Sequence, residues 1–205
     1  MKVLLLNGSP KKNGNTYTAL KEVARGLEED GVETEITWIG TQPVSDCLSC
    51  GSCYKTGKCV IEDGVNQFVE KARSADGFVF GSPVYYAHPS GWLLSFLDRA
   101  FYSGGDAFEY KPGASVLCAR RAGTTASFDV INKYFSIKSM PIVSSTYWNQ
   151  AYGRKPGEVS QDTEGMMTMY NIGKNMAWVL KCIENGRQNG IEHPDNQKVA
   201  MNFIR

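Results

Sequence analysis

The chain has 205 residues, 42% hydrophobic and 21% charged, the proportions of one globular domain with a substantial core. A formal net charge of +1 supplies no long-range field of either sign, which argues against nucleic acid or an anionic membrane as main partner. The opening stretch Met1–Asn7 turns polar too soon for a signal peptide, and no apolar run reaches membrane-spanning length, so the expectation is a cytoplasmic protein without a membrane partner.

Lys2 to Asn7 is a continuous apolar run, as in a strand buried on both faces of a parallel sheet. The glycine-rich stretch Gly8–Asn15 follows, and from Thr16 a helix carries Leu20, Val23, Ala24 and Leu27 on one face and stops at Gly31. Glu33–Ile39 alternates and reads as a second strand. Residues 40 to 60 hold cysteines and no period. A helix over Gly64–Arg73 buries Val65, Phe68, Val69 and Ala72. The third strand, Gly77–Gly81, ends in the loop Ser82–Pro89, and the next helix holds Leu93, Leu94, Phe96, Leu97 and Phe101. Ala114–Ala119 is a fourth strand, and the loop Arg120–Thr125 leads to a helix across Phe128, Ile131 and Phe135. Pro141–Ser145 is predicted as the fifth strand. A long helix over Asp162–Asn185 turns Met166, Met169, Tyr170, Gly173, Met176, Ala177 and Leu180 inward. The polar tail after Gly190 is expected to pack on a partner or fray.

Five strands alternating with five helices predict an α/β fold with a doubly wound, five-stranded parallel sheet, order 2-1-3-4-5. Ligands of such sheets bind beyond the carboxyl ends of the strands, at the point where the winding reverses. The loops Gly8–Thr16, Ser82–Pro89, Arg120–Thr125 and Thr146–Gly153 all follow strands and fall on that rim.

Gly8-Ser9-Pro10-Lys11-Lys12-Asn13-Gly14-Asn15-Thr16 has the chemistry of a phosphate cradle. Its glycines let backbone N–H groups point inward, Ser9, Asn15 and Thr16 add short donors, and a helix N-terminus stands beside them. The loop lacks the Gly-Lys-Ser/Thr ending of a triphosphatase and the chain has no G-x-G-x-x-G, which points to a mononucleotide phosphate.

These residues, together with Ser82-Pro83-Val84-Tyr85-Tyr86 through Ser90-Gly91, resemble the NAD(P)H-dependent FMN reductase family of flavodoxin-like proteins. The resemblance covers nearly the whole chain, including Asp162-Thr163-Glu164-Gly165 and Gly173-Lys174-Asn175-Met176-Ala177. It implies a single flavodoxin-like FMN-binding domain over residues 1–205, with a cysteine-rich loop at 43–60. It also implies that Ser9, Lys11, Asn13, Asn15 and Thr16 hold the FMN phosphate, and that Pro83, Val84, Tyr85 and Tyr86 line the isoalloxazine. Where family members often carry a glycine-rich loop after the fourth strand, this chain reads Ala119-Arg120-Arg121-Ala122-Gly123-Thr124-Thr125. Arg120 or Arg121 placed at the flavin N1–O2 edge favours the anionic reduced flavin; the alternative is a solvated arginine. His88 reads as a hydrogen-bonded surface residue, and no side chain stands out as a general acid or base.

Four of six cysteines, Cys47, Cys50, Cys53 and Cys59, fall within thirteen residues. In a reducing compartment, crowded thiolates hold metal or do redox chemistry. Overlapping x2 spacings suit a 4Fe-4S cluster better than structural zinc, which more often uses two separated pairs. Zinc, free thiols and a Cys47–Cys50 redox pair stay open. The pattern also resembles the iron–sulfur flavoprotein branch of the same fold, with a compact four-cysteine motif in this place. Cys118 and Cys182 read as small buried hydrophobes.

The resulting expectation is an electron-transfer flavoprotein with FMN and a cluster, donor NAD(P)H or ferredoxin, and a small-molecule acceptor such as a quinone. The alternatives are a cluster-free NAD(P)H:FMN or quinone reductase, and a non-catalytic redox- or metal-sensing module. Because the cysteine loop need not reach its own chain's flavin, a homodimer or homotetramer is expected.

Overall fold

Strand β1 (Lys2–Asn7) explains why the chain winds on both sides of one sheet. In the computed structural model its Val3 and Leu5 enter one core and its Leu4 and Leu6 another, all four fully buried. Successive strand residues point to opposite faces, so an uninterrupted apolar run needs helices above and below. The structure describes residues 1–199, 201 and 203.

The remaining elements are α1 (Asn15–Glu28), β2 (Glu33–Trp38), the single turn α2 (Cys53–Thr56), α3 (Gly64–Arg73), β3 (Gly77–Tyr85) and the two-residue β4 (His88–Pro89). Then come α4 (Gly91–Gly104), β5 (Gly113–Ala119), α5 (Thr124–Ile137), β6 (Gln150–Tyr152) and α6 (Thr163–Gln188). Helices α1 and α6 cover one face, and α3, α4 and α5 the other. The parallel order is β2-β1-β3-β5-β6, which is the expected 2-1-3-4-5 once β4, paired antiparallel to the end of β3, is set aside. Among the described residues no helix is long and apolar enough to cross a membrane.

Helices α1 and α6 cross where Gly26 meets Gly173. A Cβ on Gly26 would collide with the Tyr170 carbonyl oxygen, and one on Gly173 with that of Val23. Glycine is required at both positions for the backbones to approach this closely.

Several expectations need correction. The fifth strand is not Pro141–Ser145 but Gln150–Tyr152; Ile142 makes only an isolated bridge to Gly113. Helix α6 draws the intervening chain off the sheet, because Asn175 Nδ2 donates to the Ser144 carbonyl (2.8 Å) and Ser145 Oγ donates to the Thr168 carbonyl (2.6 Å). Cys182 is exposed on α6, whereas Cys118 is buried in β5 as expected. The described part of the tail after Gly190 folds back on its own chain: the His193 ring stacks on Tyr110 at 4.2 Å, and Lys198 reaches Glu109 at 2.9 Å. Residues 200, 202, 204 and 205 of that tail lie outside the described residues.

The winding reverses between β1 and β3. There the Gly8 N–H donates to the Gly81 carbonyl at 2.8 Å, after which β1 gives way to its loop. Strand β3 runs on, beside β5 and then β4, to Tyr85, four residues past the expected strand end, so that only Tyr86 and Ala87 of the expected loop form the turn.

Candidate functional site

The first loop is shaped by the polar residue that ends β1. Asn7 is fully buried; its Oδ1 accepts from the Ser9 N–H (3.1 Å) and its Nδ2 donates to the Lys12 carbonyl (3.0 Å). Ser9 Oγ in turn accepts from the Lys11 N–H (3.2 Å), and Trp38 Nε1 donates to the Ser9 carbonyl (2.8 Å). These bonds curl the loop into a fixed arc ahead of α1.

Helix α1 starts at Gly14 with no side-chain cap and no acidic residue in its first turn. Its first bond runs from the Thr18 N–H to the Gly14 carbonyl (3.1 Å), so the amides ahead of it have no intrahelical acceptor. Unclaimed amides at the positive end of a helix dipole fit a phosphate dianion.

They open on a cavity of about 680 Å³. Ser9, Lys11, Gly14, Asn15 and Thr16 form one side, and Pro83, Val84 and Tyr85 the next. Cys118, Ala119 and Arg120 follow from the end of β5, and Gly153, Arg154 and Pro156 close the ring. Three of the loops named by the sequence meet here, and the fourth contributes only its last residue, Gly153, which follows β6 rather than a strand ending at Ser145. Backbone amides at a helix N-terminus beside Ser9, Lys11, Asn15 and Thr16 have the donor chemistry that a mononucleotide phosphate needs, and the end of β3 offers an apolar wall next to them. Asn13, Tyr86 and Arg121, proposed alongside them, are exposed and do not line this cavity.

Ser82 pins the second loop: its Oγ accepts from the Ser90 N–H (2.8 Å) and donates to the Pro83 carbonyl (2.8 Å). Beyond it, Tyr86 (φ 51°) and Ala87 (φ 60°) make a two-residue hairpin turn with both residues left-handed. Neither is glycine, so the turn stores strain at the rim of the cavity. Gly123 (φ 90°) packs beneath it, where a Cβ would lie 2.5 Å from Ala87 Cα. Tyr85 is half-exposed, and partial burial pushes its phenol above the usual range. It also edges a shallower cleft of about 540 Å³ with Pro10, Ser90, Gly91 and Trp92. His88 is exposed, as the sequence suggests.

Three residues that the sequence placed in its loops and motifs without giving them a role hold the far wall. Gly153 donates its N–H to the Ala119 carbonyl (2.9 Å), and a Cβ there would stand 2.6 Å from the Val159 nitrogen. Asp162 accepts from the Tyr152 N–H (2.7 Å) and from the Gly165 N–H (2.9 Å), joining β6 to the start of α6. Thr124 Oγ1 donates to Gln150 Oε1 (2.5 Å), tying the β5 loop to β6. On the cavity wall, burial pushes the Cys118 thiol up to about 12, so it is a neutral apolar surface rather than a nucleophile.

The cysteines gather at a second place, on the side of the sheet covered by α4. Cys47, Cys50, Cys53 and Cys59 together edge a cavity of about 350 Å³ closed by Arg99, Tyr102 and Ser103 of α4. The loop reaches this shape through left-handed Ser49, Gly51 and Gly57. Cys47 and Cys50 are exposed, and Cys53 and Cys59 half-buried. The backbone and hydroxyl of Ser52 hold the Cys50 thiol below its usual range. Among the described residues no three His, Cys, Asp or Glu side chains stand close enough to hold a single metal ion.

Arg99, unremarked in the sequence, anchors that loop. Its side chain has no exposed surface, and it grips Asp63 through two bonds of 2.6 and 2.8 Å. Asp63 also caps α3 by accepting from the Val65 N–H (3.2 Å). Burial opposes ionisation of Asp63, but Arg99 and the Val65 amide outweigh it and hold the carboxyl below the usual range. Asn66 clamps the Cys59 backbone from both sides, accepting its N–H (3.0 Å) and donating to its carbonyl (2.9 Å).

Residues 1–153 match the sequence profile of the NADPH-dependent FMN reductase family. An iron-sulfur flavoprotein of Methanocaldococcus jannaschii is 33% identical over 192 residues, covering 90% of this chain and 100% of that protein. An iron-sulfur flavoprotein of Clostridioides difficile is 35% identical over 207 residues, covering 100% of this chain and 89% of that protein. A flavodoxin from the domain Archaea superposes with a TM-score of 0.59 at 14% identity, over 88% of this chain and 99% of its own, a likeness of fold alone. With its phosphate cradle and strand-end cavity in place, this chain belongs to the NADPH-dependent FMN reductase family of flavin-dependent oxidoreductases.

Proposed function

We propose that this protein is an iron–sulfur flavoprotein that moves electrons between a donor, NAD(P)H or ferredoxin, and a small-molecule acceptor. The observation that carries the flavin half is the uncapped start of α1 facing a cavity of about 680 Å³. Ser9, Lys11, Asn15 and Thr16 would hold the phosphate of FMN, and Pro83, Val84 and Tyr85 would flank its ring. Arg120 would set positive charge beside the same cavity. When bound, FMN supplies the exchange between two-electron and one-electron transfer, and a 4Fe-4S cluster supplies single-electron steps.

Four cysteines around one cavity support the cluster half. Crowded, soft sulfur ligands suit an iron–sulfur cluster. Leu48, Val60 and Tyr102 form an exposed apolar rim around that cavity, extended by Tyr54 packed on Tyr102, and an exposed apolar rim favours coverage by another protein surface. It supports the homodimer or homotetramer that the sequence reading expects. Six unpaired cysteines suit a reducing, cytoplasmic setting.

A cluster-free NAD(P)H:FMN or quinone reductase is the second reading, favoured by the exposure of Cys47 and Cys50. Anaerobic purification followed by an optical spectrum and iron and sulfide assays separates the two. Flavin bands with a broad brown shoulder and matched iron and sulfide support the first. A flavin spectrum without iron, bleached by NADPH, selects the second, and protein that takes up no FMN defeats both.

A further inference from the structure

Arg99 sits between the apolar Phe96 and Ala100 on the buried side of α4, where an unpaired guanidinium would be prohibitively unfavourable. A guanidinium has five N–H donors. All five are accounted for: Nη1 reaches Asp63 Oδ2 (2.6 Å) and the Ser45 carbonyl (3.3 Å), and Nη2 reaches Asp63 Oδ1 (2.8 Å) and the Ile61 carbonyl (3.2 Å). The fifth, Nε–H, points to Cys59 Sγ at 3.3 Å.

Four of those acceptors explain a structural role, since they tie residues 45, 61 and 63 to α4. The sulfur is different. A neutral thiol is a poor acceptor and a poor choice for satisfying a buried cation. A thiolate or a metal-bound sulfur carries negative charge and accepts a strong, charge-assisted bond. Arg99 and Asp63 already balance one another, so the remaining donor has no structural carboxylate to serve and is aimed at a ligand sulfur.

We propose that Arg99 is a positioning residue for the iron–sulfur site: it fixes Cys59 before the cluster arrives and donates Nε–H to that sulfur when the cluster is bound. This rests on the reading of the cysteine cavity given above. The Asn66 clamp holds the Cys59 backbone while Arg99 holds its sulfur, so Cys59 is prepositioned. Cys47 and Cys50 lie on the exposed part of the loop. Hydrogen bonds to cluster sulfurs favour the reduced, more negative state and so raise the reduction potential.

The test uses the full chain reconstituted anaerobically with iron, sulfide and FMN, comparing wild type with Arg99→Lys. Lysine keeps the charge, but as a compact point donor it does not reproduce the fork. The expected result is that R99K still takes up FMN, releases iron to a chelator about ten-fold faster or more, and has a lower cluster potential. The flavin potential serves as the internal control and stays at the wild-type value. Equal iron release and equal cluster potential in R99K would overturn the inference while leaving the cluster standing. Wild-type protein that binds FMN but no iron would overturn the cysteine reading and this inference with it. Should R99K fail to fold, wild-type protein labelled with 15N-arginine decides the matter: a pulsed electron paramagnetic resonance coupling between the reduced cluster and one arginine nitrogen is expected, and its absence overturns the inference.

Discussion

Asn7 holds the Ser9 amide at 3.1 Å and, with the other end of the same side chain, the Lys12 carbonyl at 3.0 Å. One buried amide group thus sets the curvature of the loop that faces the start of α1. Asn7→Ala removes both bonds, the one to the Ser9 amide from a buried site. Losing them should weaken FMN binding by roughly ten- to a hundred-fold, at about 1 kcal/mol per bond. Asn7→Asp keeps the acceptor, loses the donor and adds a negative charge near the phosphate, so it should weaken binding at least as much. Calorimetric titration of apoprotein with FMN measures both, and wild-type affinity in N7A would refute this account of the loop.

The two cavities lie on different elements and should fail separately. Cys50→Ala should abolish iron uptake and leave flavin content unchanged. Ser9→Ala and Thr16→Ala should lower flavin retention and leave iron unchanged. Flavin and iron assays on the same preparations make the comparison. Parallel loss of flavin in C50A would contradict a two-site protein.

Cys118 and Cys182 should differ sharply in reactivity. The thiolate is the reactive form, and a thiol pushed up to about 12 by burial is protonated throughout the neutral range. Its alkylation therefore stays suppressed at pH 8 and rises only as the pH climbs toward that value. Cys182 is exposed on α6. Iodoacetamide treatment of native protein at pH 8, read by peptide mass spectrometry, should modify Cys182 and spare Cys118, and denaturant should abolish the difference. Native labelling of Cys118 at pH 8 would show that it is less buried than described.

The Tyr86–Ala87 turn holds two non-glycine residues in the left-handed region. Ala87→Gly should relieve one of them and stabilise the fold by about 1 kcal/mol. Chemical denaturation provides the measurement. An unchanged or lowered midpoint would mean that the turn is unstrained in solution.

Much of this architecture was legible in the chain. The apolar spacing of Val65, Phe68, Val69 and Ala72 predicted the inner face of α3 in full, and the strand-end loops predicted the ring around the larger cavity. Arg99 was not legible, because a charge on an amphipathic helix ordinarily faces water and its carboxylate partner lies 36 residues away. Pro141–Val143 has a strand's composition, but bonds from Ser145 and Asn175 peel the following residues from the sheet. Cys182 has apolar neighbours, yet it sits about 200° around α6 from Leu180 and so turns outward. Asn7 was read as the end of a strand, and its role emerges only when the loop closes around it.

Helix α4 joins the shallow cleft beside Tyr85 to the cysteine cavity as a rigid ruler. Gly91 and Trp92 edge the aromatic cleft at its start, while Arg99, Tyr102 and Ser103 wall the cysteine cavity toward its end. The eight helical steps from Gly91 to Arg99 span about 12 Å along the axis. Inserting or deleting one residue between them would change that span little but swing Arg99 about 100° away from the loop it fastens. The register of this helix, rather than its length alone, is what keeps both compartments assembled at once.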